Sequence, residues 1–83
     1  MAINQSKLQG AFVRSLGVSR DTDFPNLAYG RHELWDSVAH MRLVSEIESA
    51  FNVMLDNEDV VAMSSYQVAV EILEKYGVPV NAA

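Results

Sequence analysis

Apolar residues recur at helical spacing through the middle of this chain, and no other feature restricts the possible fold as strongly. Asp36 precedes the pattern and is a favoured N-cap residue, since its carboxylate can accept a hydrogen bond from a free backbone N–H. The pattern predicts an amphipathic helix over about 36–52. Its apolar residues are three or four positions apart, and we expect them to form one buried stripe that Leu43 and Ala50 broaden: Val38, Met41, Val44, Ile47 and Phe51.

Two more long helices are predicted, one on each side of this segment. Leu8, Phe12 and Leu16 are four residues apart, and Gly17 suits the position after a helix end, which gives a helix over about 3–16. Ser64 with Gln67 has the spacing of a capping box, which predicts a last helix over about 64–76. We expect six side chains to face one another across the second and last helices: Val44, Ile47, Phe51, Ala69, Ile72 and Leu73.

The segments between these helices differ in length and character. Residues 17–35 show no sustained periodicity and form a long loop, whose apolar residues could pack it down: Phe24, Leu27, Tyr29, Leu34 and Trp35. Residues 57–62 predict a short helix with acids in its first turn. The fold class is therefore all-α, as a single domain over 1–83 built from three main helices and one short helix.

Composition restricts the function classes. The chain has no cysteine, which excludes disulfide and thiolate-metal sites, and no apolar run long enough to span a membrane, so we expect a soluble cytoplasmic protein. The formal net charge is −5. Residues 1–42 carry +1, with five basic and four acidic residues, whereas residues 43–83 carry −6, with seven acidic residues and one lysine. Such an acidic half disfavours nucleic acid as a partner.

The dipeptide Asp36–Ser37 is the candidate functional feature. Asp36 can cap the helix alone, which leaves Ser37 either as an ordinary first-turn serine or as a modification site at the positive end of a helix dipole. His40 is three residues away, but the sequence offers no glycine elbow or third orienting residue for Ser–His catalysis. We expect His40 to be an exposed surface residue. The histidines and carboxylates show no metal-ligand spacing.

From Leu16 to Gly77 the sequence resembles acyl carrier proteins. Asp36-Ser37-Val38 is similar to the family's Asp-Ser-Leu motif, "MRLVSEIESAF" to the rest of its second helix, and "LDNEDVVAMSSYQVAVEIL" to its third and fourth helices. The resemblance implies that Ser37 carries 4′-phosphopantetheine donated by coenzyme A, with Asp36 as the adjacent motif residue. It further implies a non-catalytic monomer that carries an acyl thioester. The implied partners are a phosphopantetheinyl transferase, a loading enzyme and a downstream synthase or transferase.

One departure from the family affects the expected partners. Carriers of fatty-acid synthesis are typically acidic along the exposed side of the second helix, whereas this helix has Ala39, His40 and Arg42 before its first acid. The segment "WDSVAHMRLV" also resembles free-standing carriers of specialised pathways. The length of the chain favours a discrete carrier over a module of a synthase. The expected docking residues are His40, Arg42, Glu46 and Glu48. Two alternatives stay open: an aminoacyl carrier, such as one for D-alanine, and an unmodified helical protein-interaction domain.

Overall fold

The computed structural model describes residues 3–80, and this part of the chain is an all-α bundle, as predicted. A single 3₁₀ turn, Phe24–Asn26, interrupts the loop that was expected to be irregular. No strand occurs within residues 3–80, although Ala28 and Ser65 form one isolated antiparallel bridge. The described part holds four α-helices: α1 (Ile3–Leu16), α2 (Ser37–Phe51), α3 (Asn57–Ala62) and α4 (Tyr66–Lys75).

The ends of α1 and α2 follow from local chemistry. The Asp36 carboxylate accepts the Ala39 N–H at 2.9 Å, so Asp36 caps α2 from the position before its first residue. Asn52 ends α2 in the left-handed conformation, with φ of 53°. Gly17 does the same after α1 with φ of +75°, and its N–H reaches the Val13 carbonyl at 2.9 Å.

The predicted N-cap of the last helix was wrong by one residue. Ser65, and not Ser64, is the N-cap, because its hydroxyl oxygen accepts the Val68 N–H at 3.1 Å. The Ser64 carbonyl instead accepts the Tyr29 N–H at 2.8 Å, and the Tyr66 N–H donates to the Leu27 carbonyl at 3.0 Å. These two bonds join the long loop to the residues around the start of α4, where the backbone of Ser65 is extended, so the helix begins only at Tyr66.

The core forms mainly where α1 packs on α2, with α4 packed against the 3₁₀ turn. Phe12 of α1 is fully buried and lies edge-on to Trp35, with ring centroids 5.3 Å apart. Phe24 and Leu27 are also buried, so the long loop is held down by its own apolar residues. Tyr29 and Leu34 were expected to help but are exposed.

The side chains expected to face one another across the second and last helices are mostly buried, but the extensive contacts are between α1 and α2 and between α4 and the 3₁₀ turn. Five of the six side chains belong to one buried cluster: Val44, Ile47, Ala69, Ile72 and Leu73. Phe51 is only half-buried and packs against the edge of that cluster. None of the described helices has the length and apolar character needed to cross a bilayer.

The buried stripe of α2 differs from the predicted one at its N-terminal end. Val38 and Met41 are each 60% exposed, whereas Ala39 and Leu43 are buried together with Val44 and Ile47. At 3.6 residues per turn, Ala39, Leu43 and Ile47 lie on one side of the helix, and Val38 and Met41 lie on the other. The regular spacing of Val38 and Met41 continued the apolar pattern, but these two residues face away from α1.

Candidate functional site

Ser37 is the first residue of α2 and is exposed to solvent. The neighbouring Asp36 carboxylate is the group that accepts the Ala39 N–H, so the cap does not depend on the serine hydroxyl. The first turn of a helix has backbone N–H groups without intrahelical partners and carries the positive end of the helix dipole. Ser37 therefore places a hydroxyl where an attached phosphate would be stabilised.

The segment before Ser37 is fixed by hydrogen bonds and by burial. The Trp35 N–H donates to the His32 carbonyl at 3.0 Å, and the Leu34 N–H donates to His32 Nδ1 at 3.2 Å. The Trp35 side chain is 1% exposed and lies between Phe12 and Tyr29. Because a buried indole two residues away anchors the backbone, the start of α2 has a defined position on the surface.

His40 is not the exposed residue that the sequence predicted. Its ring is half-buried against Trp35, and both of its nitrogens are engaged: Trp35 Nε1 lies 3.1 Å from Nδ1, and the Val60 carbonyl oxygen lies 2.7 Å from Nε2. Since an indole N–H can only donate, Nδ1 is the acceptor and Nε2 carries the proton. Neither nitrogen is left to take a proton from Ser37, so His40 is a structural link between the long loop, α2 and α3.

A cleft opens beside Ser37 between α2 and α3, with a cavity volume of about 370 Å³. Met41 and His40 form its α2 side, Val60 and Val61 form its α3 side, and Ser37 lies at its rim. Tyr29, Met63 and Ser64 complete the lining, which is mainly apolar. We call this feature the α2–α3 cleft.

Apolar side chains also surround Ser37 on the outer surface. Val38 and Met41 are exposed on α2, Val61 is 83% exposed on α3, and Tyr29 is exposed on the loop. Exposed apolar residues that gather in one patch mark an interaction surface more often than scattered ones do. We call the patch formed by Tyr29, Val38, Met41 and Val61 the Ser37 face. The apolar spacing of α2 predicted that Val38 and Met41 belong to the core, and no sequence pattern singled out Val61, so this face was not predicted.

The four expected docking residues are in different situations. Arg42 is exposed and shares a shallow depression with Ser37, Val38 and Met41. Glu46 is paired with Arg14, with Arg14 Nε 3.1 Å from Glu46 Oε1. Glu48 accepts the Leu55 N–H at 2.9 Å. His40 is turned inward, and Ala39, which was grouped with it on the exposed side, is buried. Arg42 alone among the four is an exposed charge beside Ser37.

The far wall of the α2–α3 cleft is tied to α4 by a buried carboxylate. Asp59 of α3 is 7% exposed, and its two oxygens accept from Lys75 Nζ and from the Tyr76 hydroxyl, each at 2.6 Å. The Tyr76 oxygen in turn accepts the Asp56 N–H at 3.0 Å. The hydrogen bonds from Lys75 and Tyr76 lower the pKa of Asp59, and the bond to Asp59 raises the pKa of Lys75.

The acidic side chains do not converge elsewhere. Within residues 3–80, no three of the His, Asp and Glu side chains are arranged to hold a metal ion. Asp36, Glu46, Glu48 and Asp59 each accept a hydrogen bond from within the bundle. These acids therefore stabilise helix ends and helix contacts.

Comparison with protein-family models, with curated proteins and with solved structures found no match to this chain. The function is therefore inferred from the residues themselves, from their geometry and from the resemblance of the sequence motifs.

Proposed function

We propose that this chain is an acyl carrier protein, which holds an acyl group as a thioester on 4′-phosphopantetheine attached to Ser37. The observation that carries the proposal is the division of roles at the start of α2. Asp36 provides the cap, and the adjacent Ser37 hydroxyl is exposed at the helix N-terminus. The ordered resemblance from Leu16 to Gly77 supports the same assignment.

The surroundings of Ser37 suit a modified residue more than a catalytic one. A serine hydroxyl is a weak nucleophile without an adjacent base, and both nitrogens of the nearby His40 are already hydrogen-bonded. The base must therefore come from a separate phosphopantetheinyl transferase, with coenzyme A as donor. When attached, the cofactor supplies a flexible arm that ends in the thiol to which the acyl group is bound. The N-terminus of α2 stabilises the phosphodiester at its base.

Partner enzymes must bring their active sites to the end of this arm, so we propose that they dock on the Ser37 face. This surface is apolar, with Arg42 at its edge as the nearby exposed cation. An apolar counterpart on the partner would provide most of the binding energy, and an acidic group opposite Arg42 would affect the association rate. Such a docking surface differs from one that depends on acids of the carrier near the serine, which fits a loading enzyme of a specialised pathway.

The Ser37 face also favours a second candidate, an unmodified helical domain that binds another protein. An exposed apolar patch serves such a domain equally well and needs no modification of Ser37. The two functions differ in chemistry, because only the carrier gains a covalent group.

The deciding measurement is intact mass after incubation with coenzyme A, Mg²⁺ and a broad-specificity phosphopantetheinyl transferase. We expect a gain of one phosphopantetheine group on the parent protein and on a Ser64→Ala control, and no gain on Ser37→Ala. Ser37→Ala should still fold, since Asp36 remains as cap and alanine is a good helix former. A group mapped to Ser64 or Ser65, or a modified Ser37→Ala protein, would refute the assignment of Ser37. An unmodified parent protein would favour the interaction domain.

A further inference from the structure

A second groove lies far from Ser37, between α1 and the last turn of α2. Ala50 of α2 forms one side, Lys7, Gly10 and Arg14 of α1 form the other, and Arg20 reaches in from the loop. Its cavity volume is about 510 Å³. Ala50 lies thirteen positions after Ser37 in α2, which is about 20 Å along the helix axis at 1.5 Å per residue. The groove is therefore separate from the Ser37 face.

Gly10 shows how closely two guanidinium groups approach the wall of this groove. Glycine is unfavourable in the interior of a helix, and Gly10 is a buried residue within α1. A Cβ at this position would lie 3.2 Å from Arg14 Nη1 and 3.6 Å from Arg20 Nη2. The missing side chain therefore leaves the space over which both guanidinium groups converge, one from the helix and one from the loop.

The charges at this groove are unbalanced. Arg14 uses its Nε to bond Glu46, at 3.1 and 3.4 Å from the two carboxylate oxygens. Within residues 3–80, neither Arg20 nor Lys7 lies within ion-pair distance of a carboxylate. Three cations and one acid leave two positive charges in excess, on a chain whose net charge is −5. Half of the chain's six basic residues line this groove.

We propose that this groove binds the dianion of a phosphate monoester. Guanidinium groups present paired N–H donors that match phosphate oxygens, and Arg14 and Arg20 bring two such groups to one place. Lys7 adds charge without a fixed geometry. A phosphate monoester carries close to two negative charges above its second pKa of about 6, which balances the excess, whereas a carboxylate would balance only half of it. This inference does not depend on the proposed carrier function.

The test is titration of the isotope-labelled protein at pH 7.5 and constant ionic strength, with the Gly10 amide followed by NMR. The probes are inorganic phosphate, glycerol 1-phosphate and acetate. We expect a saturable shift with both phosphates and none with acetate at the same concentration. Arg20→Gln should weaken phosphate binding by about tenfold or more, as expected for loss of a hydrogen bond between charged groups. The control Arg31→Gln, which removes an exposed arginine that does not line the groove, should bind as the parent does.

The results separate the sources of the ligand and can overturn the proposal. Tighter binding of glycerol 1-phosphate than of inorganic phosphate would assign an esterified ligand, and equal binding would show that the phosphoryl group alone is recognised; both support the site. Acetate binding as tightly as the phosphates would overturn the preference for a dianion. If Arg20→Gln and Arg31→Gln weaken phosphate binding equally, or if the Gly10 amide shows no saturable shift, the phosphates act by general charge screening and the groove is not a binding site.

Discussion

The two sides of α2 are both apolar near its N-terminus, yet they have opposite environments. Ala39 and Leu43 are buried against the bundle, whereas Val38 and Met41 are largely exposed beside Ser37. The inner side contributes to stability by removing apolar surface from water, and the outer side leaves such surface available for another molecule. The difference shows that hydrophobicity along a helix identifies candidate faces, and that the position of its neighbours decides which face is buried.

The largest expected effect is a difference in the free energy of unfolding between substitutions on the two sides of α2. Ile47→Ala removes a fully buried side chain and should lower the free energy of unfolding by about 2–5 kcal/mol. Met41→Ala on the outer side should change it by no more than about 0.5 kcal/mol. Urea unfolding followed by circular dichroism measures both. Equal losses in the two variants would mean that Met41 is a core residue and that the outer face is assigned incorrectly.

Substitution of His40 tests how the outer side of α2 is attached to the long loop and to α3. His40→Leu leaves the indole N–H of Trp35 and the Val60 carbonyl without their partners. Each unsatisfied buried group lowers the free energy of unfolding by about 1–3 kcal/mol. We expect lower stability and faster amide exchange in α3. His32→Gln is the matched control, since the His32 ring accepts the Leu34 N–H and its loss should affect amide exchange near residue 34 and not in α3. Unchanged exchange in α3 after His40→Leu would contradict the link.

Phe51→Ala examines the border between the two sides. Replacing a fully buried phenylalanine by alanine lowers the free energy of unfolding by about 3–5 kcal/mol. Phe51 is half-buried, so we expect Phe51→Ala to lower it by about 1–2 kcal/mol. Phe12→Ala, at a fully buried position, is the comparison and should be the more destabilising. The reverse order in urea unfolding would place Phe51 inside the core.

Asp59 makes the attachment of α3 to α4 dependent on pH. Its pKa is lowered from the model-compound value of 3.8 by Lys75 and Tyr76, so its contribution to stability is present above that value and is lost as the pH falls through the lower folded-state pKa. We expect Asp59→Asn to be less stable than the parent at pH 7 and to approach it in strong acid.

Unfolding free energies from pH 7 down to pH 2 check this expectation. Asp56→Asn is the control, because the Asp56 carboxylate makes no capping hydrogen bond. A constant difference between the parent and Asp59→Asn across this range would show that the carboxylate charge contributes nothing.

The smallest effect on stability, and a specific one on function, is expected at the edge of the Ser37 face. Arg42→Glu should leave the melting temperature nearly unchanged, slow loading by the cognate enzyme at low salt and improve recognition by enzymes of fatty-acid synthesis. Met41→Ala should slow cognate loading at both low and high salt, because its contact is apolar.

Loading rates with both enzyme types, at low and high salt, measure these differences. If Arg42→Glu changes neither rate at low salt, Arg42 does not choose the partner. If Met41→Ala leaves the cognate rate unchanged, the apolar part of the Ser37 face is not the docking surface.

The sequence by itself determined the helices and the position of the candidate serine. Apolar spacing, the Asp36 cap and the glycines after the helices depend on contacts within one or two turns, so the all-α fold and most helix bounds could be predicted. Tertiary structure decided the rest. The Leu27–Tyr66 and Tyr29–Ser64 hydrogen bonds moved the start of α4. Packing on α1 turned Val38 and Met41 outward, and Trp35 with Val60 turned His40 inward. Each of these outcomes depends on residues distant in sequence, whose placement no local pattern encodes.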